Sequence, residues 1–335
     1  MGVITEYLDA YPIVDNAPIE LQRDEELLFG KAQVGPIRLL QHELLGAVHF
    51  PVEFVPARFS PPRGIYECDH IRLEWQQMGN FRQPFYHRNA DVDEMSYQIF
   101  GDRTLITEHG TVEIRPGDYS RIPVGVGHDN YGRNEIHLLF YVPAPVTECG
   151  PIAKKASHTI PPFEGWESKV VAEVMTECLG GPECDIASSQ VDETLLLDHA
   201  KGLPEDKFIS ILRPTEASKG GIEWKYKSKH VWIGHTELSK STGTAKYRRH
   251  RRAEEIQCQI SGTRTVITQR GIITLEPGDF INIPNGVAFT DHVTDNSTHI
   301  TVLTFNKAEA KGEIVKRAKP ATTEAIADLR KVRAS

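Results

Sequence analysis

The chain has 335 residues, of which 39% are hydrophobic and 25% charged, the balance of a soluble globular protein long enough for two domains. Its net charge of -8 argues against a general nucleic-acid binder, because phosphate binding requires a basic face. No apolar run approaches the roughly 20 residues that span a bilayer, and the first residues lack the basic flank and apolar core of a secretory signal. We therefore expect a cytoplasmic protein that binds neither nucleic acid nor membranes.

The cysteines follow no paired spacing such as C-x-x-C, so neither a disulfide framework nor a zinc ribbon is indicated. We expect all five to be reduced thiols. They are Cys68, Cys149, Cys178, Cys184 and Cys258.

Short strands are predicted in the segment that begins near residue 101. Residues 104–107, 112–114 and 265–267 are rich in β-branched residues, and turn residues separate such runs along the chain. Glycines such as Gly110 fall at these turns, where a positive φ angle would strain other residues. Short strands at this spacing fit an antiparallel sandwich or barrel rather than alternating βαβ units.

The chain repeats itself once. When Gly101 is aligned with Gly262, residues 101–128 and 262–289 match without a gap at nearly half of their positions. Chance similarity rarely keeps every glycine and proline in register, so an internal duplication is the economical explanation. The matched pairs include Arg103 and Arg264, Gly110 and Gly271, Pro116 and Pro277, Gly117 and Gly278, Asp118 and Asp279, Pro123 and Pro284, and Gly125 and Gly286.

The segment between the two copies, roughly residues 143–228, is less regular, and we place a domain boundary inside it. Residues 1–160 form one predicted domain and residues 161–335 the other. Within the segment, a short helix is predicted near residues 168–178 and a strand at 208–212.

The last stretch of the chain is predicted to be an amphipathic helix. Residues 322–333 carry Ala325, Ile326, Leu329 and Val332 at helical spacing. The apolar face of this helix would either dock onto its own protein or contact another subunit.

Two histidines and a carboxylate form a candidate metal site, namely His87, Glu94 and His128. Two imidazoles and one carboxylate on one face of a metal leave the opposite positions open for substrate and dioxygen. Asp93 is the alternative carboxylate. Because alternation along a strand points neighbouring side chains to opposite faces, Asp93 and Glu94 are not both expected to be ligands.

The spacing of these residues resembles the two sequence motifs of the cupin superfamily. The first motif has a histidine, a second liganding position, a glutamate and a glycine, which correspond to His87, Asn89, Glu94 and Gly101. The second has a glycine, a proline, a glycine and a histidine, which correspond to Gly117, Pro123, Gly125 and His128. The second copy keeps the framework at Glu255, Gly262, Gly278, Pro284 and Gly286. The resemblance implies an all-β bicupin, two tandem cupin barrels (double-stranded β-helix, jelly-roll) with a few short helices.

The run FRQPFYHRN, residues 81–89, resembles a more specific family. It is similar to the segment around the first iron ligand of homogentisate 1,2-dioxygenase, in which an asparagine likewise follows the histidine. In that family two histidines and a glutamate hold the iron. The resemblance implies Fe(II) as cofactor, with His87, Glu94 and His128 as metal ligands and catalytic residues. It also implies a ring-cleaving dioxygenase that uses O2 and a hydroquinone-type aromatic such as homogentisate, gentisate or hydroquinone.

The chain departs from that family in one spacing. Asp93 lies six residues after His87 and Glu94 seven, whereas the family has its glutamate at six. We favour Glu94 because its distance to Gly101 equals the distance from Glu255 to Gly262 in the second copy.

The second copy lacks most of the ligands. In the same register His87 corresponds to Arg248, Asn89 to His250 and His128 to Phe289. An arginine beside two remaining donors would make a poor divalent site, so we expect this barrel to be metal-free. His292, three residues out of register, is the alternative replacement ligand.

Several residues outside the ligand set have weaker claims to function. The basic run YRRHRR, which contains Arg248–Arg252, is either the relic of a ligand loop or a contact to a substrate or partner. His137 is either a base that acts from behind the metal ligands or a hydrogen-bonded core histidine. Four further residues flank the ligands and could bind an oxygen intermediate, a carboxylate or a phenolate: Tyr86, Arg88, Tyr131 and Arg133.

Other functions stay open at this stage. With another divalent metal the same barrel could be an isomerase or lyase on a sugar acid or keto acid, with the metal as a Lewis acid. A non-enzymatic binding or regulatory bicupin is the third alternative. We expect a homo-oligomer, or a pairing with a smaller subunit as in two-component hydroquinone dioxygenases, which this chain resembles in size.

Overall fold

The structure, a computed structural model, describes residues 2–13, 17–30, 43–57, 61–179, 185–240 and 245–331. Strands dominate this part of the chain, and its helices are short. The strands form two barrels in tandem, so the predicted all-β bicupin architecture is confirmed.

The strands of the first half of the chain are, in order, β1 (Val3–Leu8), β2 (Ile19–Asp24), β3 (Gly46–His49), β4 (Arg63–Cys68), β5 (Ile71–Met78), β6 (Phe85–Asn89), β7 (Val92–Thr107), β8 (Gly110–Ile114), β9 (Tyr119–Ile122), β10 (His128–Pro143), β11 (Thr147–Glu148) and β12 (Ile152–Lys155). Those of the second half are β13 (Val170–Thr176), β14 (Asp185–Asp192), β15 (Ser210–Leu212), β16 (Ile222–Lys227), β17 (Val231–Leu238), β18 (Lys246–Arg249), β19 (Glu254–Ser261), β20 (Arg264–Thr268), β21 (Gly271–Leu275), β22 (Asp279–Ile283), β23 (Phe289–His292), β24 (Ser297–Thr304), β25 (Glu309–Ala310) and β26 (Ile314–Arg317). The helices are α1 (Glu25–Phe29), α2 (Glu193–Asp198) and α3 (Thr323–Lys331), with single 3₁₀ turns at His199–Gly202, Glu205–Lys207 and Glu216–Ser218.

The first barrel is held together by its two longest strands, β7 and β10. They pair with each other along nearly their whole length, and the register shifts between Arg133 and His137. Gly101 lies opposite this shift with a φ of +64°, and a Cβ there would be 2.3 Å from the Asn134 carbonyl oxygen. Only glycine fits that bend. The bend lets one half of β10 pair with β5 while the other half reaches β6, and it lets one half of β7 pair with β9 while the other half reaches β8.

The second barrel has two facing sheets. One runs in the order β2-β1-β18-β23-β20-β21, and the other runs β11-β16-β17-β24-β19-β22-β3-β26. Gly262, with a φ of +67°, repeats the role of Gly101. The framework glycines of both copies therefore shape the same bend.

The two barrels pack against each other through one continuous apolar core. Ile71, Leu73 and Trp75 of β5 belong to the same buried cluster as Val231 and Ile233 of β17. Because side chains alternate along a strand, the residues between them face the barrel interiors. One face of β5 thus builds the interface between the barrels, and the other lines the first barrel.

Each repeat begins with an arm of two strands, a short helix and a third strand. Arm 1 comprises β1, β2, α1 and β3, and arm 2 comprises β13, β14, α2 and β15. The same order of elements therefore runs twice along the chain, and the duplication extends well beyond residues 101–128.

The arms are exchanged between the barrels. In arm 1, β1 pairs in parallel with β18 and β3 pairs with β22, both in the second barrel. In arm 2, β13 pairs in parallel with β6 and β15 pairs with β9, both in the first barrel. Each barrel is therefore completed by strands that belong to the other repeat in sequence. The division between residues 160 and 161 stays a prediction, and strand pairing crosses it in both directions.

One predicted helix is wrong. Residues 168–178 contain strand β13 instead of a helix, since backbone hydrogen bonds to β6 on one side and β14 on the other satisfy its peptide groups. The strand predicted at 208–212 is present as β15. The terminal helix α3 docks onto its own chain, with Ile326 buried and Arg330 paired with Glu25 of α1.

Two further features follow the sequence-based expectations. The four described cysteines, Cys68, Cys149, Cys178 and Cys258, are free thiols, and Cys184 lies outside the described residues. Within the described ranges, no helix has the length and apolar character that crossing a membrane requires.

Candidate metal centre

Three strands of the first barrel bring His87, Glu94 and His128 together. Their ligand atoms all lie within 4.8 Å of one another. His87 on β6 and His128 at the start of β10 are direct register partners, and Glu94 enters from β7. Among the described residues, this is the one group of three or more histidine, cysteine or acidic side chains close enough to share a metal ion.

The neighbour of Glu94 points out of the barrel. Asp93 accepts hydrogen bonds from the backbone amides of Val124 (2.8 Å) and Val146 (3.0 Å) and from Arg121. It anchors two loops and is not part of the cluster. The glycine-based register therefore selected the carboxylate that faces the histidines.

The carboxylate of Glu94 is buried and ionised. Its Oε2 lies 3.3 Å from His128 Nε2 and 3.9 Å from His87 Nδ1, and it accepts a hydrogen bond from Asn89 Nδ2 at 3.0 Å. Burial alone would raise the pKa of Glu94, but the charge and hydrogen bond of His128, followed by His87 and Asn89, lower it to about 2. Burial likewise opposes the charge on His128, and Glu94 outweighs it and raises the pKa of the imidazole.

Both imidazoles have a second partner that fixes the ring. His128 Nδ1 lies 3.1 Å from the Val126 carbonyl oxygen, so it carries the proton and leaves Nε2 facing Glu94. His87 Nε2 contacts the Thr176 hydroxyl. Thr176 belongs to arm 2, so the second repeat supplies a partner to a candidate ligand of the first barrel.

The donor set fits a divalent transition metal. Two imidazole nitrogens and one carboxylate oxygen converge, the carboxylate is ionised, and loss of the Nε2 proton would give His128 a lone pair on the side that faces the cluster. Such a set suits several first-row metals, iron(II) among them. His87, Glu94 and His128 are the residues that would hold the ion.

The residues that flank the ligands face away from the cluster. Arg88 is engaged with Glu108 and Glu173, at 2.6 and 2.8 Å. The Tyr86 hydroxyl accepts a hydrogen bond from Arg82. These neighbours of His87 are structural, as strand alternation requires.

The two candidates that follow His128 are also engaged elsewhere. The Tyr131 ring stacks on Phe163, with centroids 4.3 Å apart, and Arg133 pairs with Glu113. Both belong to the outer surface of the barrel wall.

His137 is a hydrogen-bonded core histidine. It is fully buried, with Nδ1 at 2.8 Å from Glu135 Oε2 and Nε2 at 3.3 Å from Arg103. Burial and the Arg103 cation lower the pKa of His137, which keeps the ring neutral. Both nitrogens are occupied, so the structure favours a core histidine over a base that acts from behind the metal ligands.

Sequence reasoning missed three residues on the inner wall beside Glu94, namely Arg72, Glu74 and Tyr141. Tyr141 of β10 is the register partner both of Glu94 on β7 and of Arg72 on β5. Directly paired residues share one face of a sheet, so the side chains of Arg72, Tyr141 and Glu94 form a row on the interior of the barrel. Glu74 lies two residues after Arg72 on the same face of β5. The alternation of polar and apolar residues along β5 was the available signal.

In the second barrel an arginine lies beside Glu255, the glutamate that corresponds to Glu94. Arg248 Nη2 lies 3.2 Å from Glu255 and 3.3 Å from Asp291, and the guanidinium stacks over the Phe289 ring. Burial opposes the charge on Glu255, but Arg248 outweighs it and lowers the pKa of the carboxyl. The cation of Arg248 thus neutralises the carboxylate that corresponds to Glu94.

Two further arginines of the basic run bind arm 1. Arg249 pairs with Glu6, and Arg251 pairs with Asp9. The acidic partner of this run is therefore the chain's own arm. His292 follows Asp291, whose side chain bonds Arg264 and Arg248 in the interior, so alternation directs His292 to the opposite face.

Protein-family models and curated proteins gave no match to the chain. Solved structures with a similar arrangement include a cupin 2 conserved barrel domain protein from Leptotrichia buccalis, at 8% identity over 80% of this chain and 100% of that one, with a TM-score of 0.47. A variant of oxalate decarboxylase from Bacillus subtilis has 9% identity over 80% of both chains and a TM-score of 0.45. A salicylate 1,2-dioxygenase from Pseudaminobacter salicylatoxidans has 14% identity over 73% of this chain and 76% of that one, with a TM-score of 0.42. At TM-scores below 0.5, these similarities say nothing about the activity of this chain.

Proposed function

We propose that this protein is an Fe(II)-dependent dioxygenase that opens the ring of a hydroquinone-type aromatic, with His87, Glu94 and His128 as iron ligands. The observation that supports it is the buried group of two imidazoles and one ionised carboxylate inside the first barrel. Such a set leaves coordination positions free for a substrate oxygen and for dioxygen. Iron bound there would supply the activation of dioxygen and the acidification of a phenolic substrate.

The residues of the chain contribute orientation around the ligands. Val126 holds the proton of His128 on Nδ1, and Asn89 donates to the carboxylate of Glu94. The amide oxygen of Asn89 in turn accepts a hydrogen bond from the Cys178 thiol at 3.0 Å. Partners of this kind fix ring and carboxylate orientation and raise metal affinity.

The barrel also shields the site from water. His128 and Glu94 are buried, and β13 of arm 2 pairs along the edge of the strand that carries His87. Exclusion of water protects reactive intermediates of an oxygenase and strengthens every electrostatic interaction at the site. A small aromatic and O2 are the proposed substrates, and homo-oligomer formation or a smaller subunit stays a prediction.

The test is oxygen uptake by protein loaded anaerobically with Fe(II), against a panel of hydroquinone, gentisate and homogentisate. We expect uptake of one O2 per ring opened, with a new ultraviolet-absorbing product. The His128→Ala variant should lose both iron and turnover, whereas His292→Ala should keep both. No uptake and no product with any member of the panel would sink the proposal.

The same protein can be checked for chemistry without oxygen. Turnover of a sugar acid or keto acid under strict anaerobiosis would point to a lyase or isomerase in which the metal is a Lewis acid. Stoichiometric iron with turnover only in the presence of oxygen supports the dioxygenase.

A further inference from the structure

The inner wall of the first barrel carries a row of chemical groups next to the candidate iron ligand. Glu74 is 2% exposed and Tyr141 7% exposed, and both lie on the face that also carries Glu94. The apolar residues between them face the other barrel. The polar residues therefore line the space where a substrate of this site would bind.

The second barrel offers an internal comparison for this row. There Leu303 is the register partner of Glu255 and of Trp232, and Thr301 is the partner of Gly234. Leu303 and Trp232 thus stand where the first barrel has Tyr141 and Arg72, and Gly234 stands where it has Glu74. Among the residues that the structure describes, the row of polar groups, like the ligand set, occurs in the first barrel and not in the second.

The cations of this wall are already paired. Arg72 Nε donates to Glu74 Oε1 at 2.6 Å, and Arg72 Nη1 donates to the Cys178 carbonyl oxygen at 3.4 Å. Arg103, fully buried, donates to Gln98 and Asn130, both at 3.0 Å. On these three strands of the described chain, no interior cation is left to hold a substrate carboxylate.

Two polar atoms of the wall lack a hydrogen-bond partner among the described residues. They are Glu74 Oε2 and the Tyr141 hydroxyl oxygen, and neither is completely buried. Because Arg72 is already shared between Glu74 and the Cys178 carbonyl oxygen, a second carboxylate brought beside Glu74 would find no free cation, whereas a hydroxyl would find an acceptor.

We propose that Glu74 and Tyr141 bind a ring hydroxyl of an uncharged dihydroxylated aromatic, so that the site takes hydroquinone-like substrates and rejects those that carry a carboxylate. The substrate hydroxyl donates to Glu74 Oε2, and the Tyr141 hydroxyl donates to the substrate oxygen. Arg72 orients Glu74 and cancels its charge. The inference rests on the proposed function and names its substrate class.

The test compares hydroquinone with gentisate, which differs from it by a carboxylate. We expect Fe(II)-loaded protein to have a kcat/KM for hydroquinone at least tenfold above that for gentisate. Glu74→Gln should raise the KM for hydroquinone about tenfold, since a hydrogen bond to a charged acceptor is lost. Because this change frees the Arg72 cation, it should also raise the kcat/KM for gentisate. Tyr141→Phe should weaken the binding of hydroquinone without raising the kcat/KM for gentisate.

The matched control is Glu67→Gln, a carboxylate on β4 that pairs with Lys311 outside the barrel, and it should leave both substrates unchanged. Anaerobic binding of hydroquinone and gentisate to Zn(II)-loaded protein, followed by ligand-detected NMR, repeats the comparison without turnover. Preference for gentisate, or no change in preference in Glu74→Gln, overturns the inference. Binding of hydroquinone with no oxygen uptake overturns the proposed function alone.

Discussion

Arg248 Nη2 lies 3.2 Å from Glu255 Oε1, so a side-chain cation faces the glutamate that corresponds to the candidate iron ligand. Removal of one partner from a buried ion pair leaves the other charge uncompensated. We expect Glu255→Gln to lower the free energy of unfolding by roughly 3 kcal/mol. Urea denaturation measures the loss, and metal content of the first barrel should stay unchanged. A loss near zero would show that Asp291 alone suffices for Arg248.

The neighbouring acids of β7 should separate metal binding from stability. Glu94→Gln removes the ionised ligand, and we expect stoichiometric metal to be lost on dialysis. Asp93→Asn should keep the metal and lower the unfolding free energy, because it weakens the anchors to the Val124 and Val146 amides. Metal analysis and urea denaturation of both variants provide the measurement. Loss of metal in Asp93→Asn with retention in Glu94→Gln would reverse the assignment.

Thr176 should influence the metal although it belongs to the other repeat. Its hydroxyl contacts His87 Nε2, and partners of this kind are worth roughly 10- to 100-fold in metal affinity. We expect Thr176→Val to raise the metal dissociation constant by about tenfold. Asp9→Asn, at the corresponding position of arm 1, is the control and should leave it unchanged. Equal dissociation constants for Thr176→Val and the unaltered protein would contradict the contact.

Two framework glycines should differ in their tolerance of alanine. Both have positive φ, +64° at Gly101 and +88° at Gly117, a conformation that costs a non-glycine residue about 1–2 kcal/mol. A Cβ at Gly101 would also lie 2.3 Å from the Asn134 oxygen, whereas a Cβ at Gly117 meets nothing within 4 Å. We expect Gly101→Ala to be less stable than Gly117→Ala by at least about 1 kcal/mol in thermal or urea unfolding. Equal losses would show that the bend opposite Gly101 relaxes.

His235 should make the interface between the barrels sensitive to acid. Burial, followed by the Lys225 cation, lowers the pKa of His235 to about 4, and its Nδ1 accepts from the Tyr119 hydroxyl at 2.9 Å. The unfolded chain binds a proton here below pH of about 6.5, while the folded chain does not until about pH 4. The contribution of neutral His235 to the free energy of unfolding is therefore complete above the pKa of the unfolded chain and is lost as the pH falls towards 4.

The expected size is about 2 kcal/mol between pH 7 and pH 5, at about 1.4 kcal/mol per pH unit below the unfolded pKa. His235→Asn keeps an acceptor for Tyr119 and removes the titration. Between pH 7 and pH 5, the free energy of unfolding should therefore fall further in the unaltered protein than in His235→Asn, and the difference should be about 2 kcal/mol. Parallel pH curves would show that the folded protein and the unfolded chain protonate His235 at the same pH.

The sequence predicted the geometry of the ligand set because local spacing controls it. The step from Glu94 to Gly101, repeated from Glu255 to Gly262, favoured Glu94, and alternation predicted that Asp93 and Glu94 would not both face inward. These relations span only a few residues of one strand. The same local logic predicted that Arg248 would replace a ligand in the second barrel.

The inner wall could not be predicted in this way. The relation of Arg72 and Tyr141 to Glu94 depends on the register across three strands that are distant in sequence. The helix predicted at residues 168–178 is wrong for a related reason, because the strands that pair with this segment, β6 and β14, are not evident from its own sequence. A local sequence pattern does not show which strand a segment will pair with, because strand pairing depends on the tertiary structure.

The exchange of arms also sets an order of assembly during synthesis. The strands that carry His87, Glu94 and His128 are complete at Pro143, but β13, which pairs with the strand of His87, ends at Thr176, and β15, which pairs with β9, ends at Leu212. The ligands therefore stand on an open wall until the start of the second repeat has left the ribosome. β1 is synthesised long before its partner β18. One of the earliest strands of the chain can therefore pair only late in synthesis.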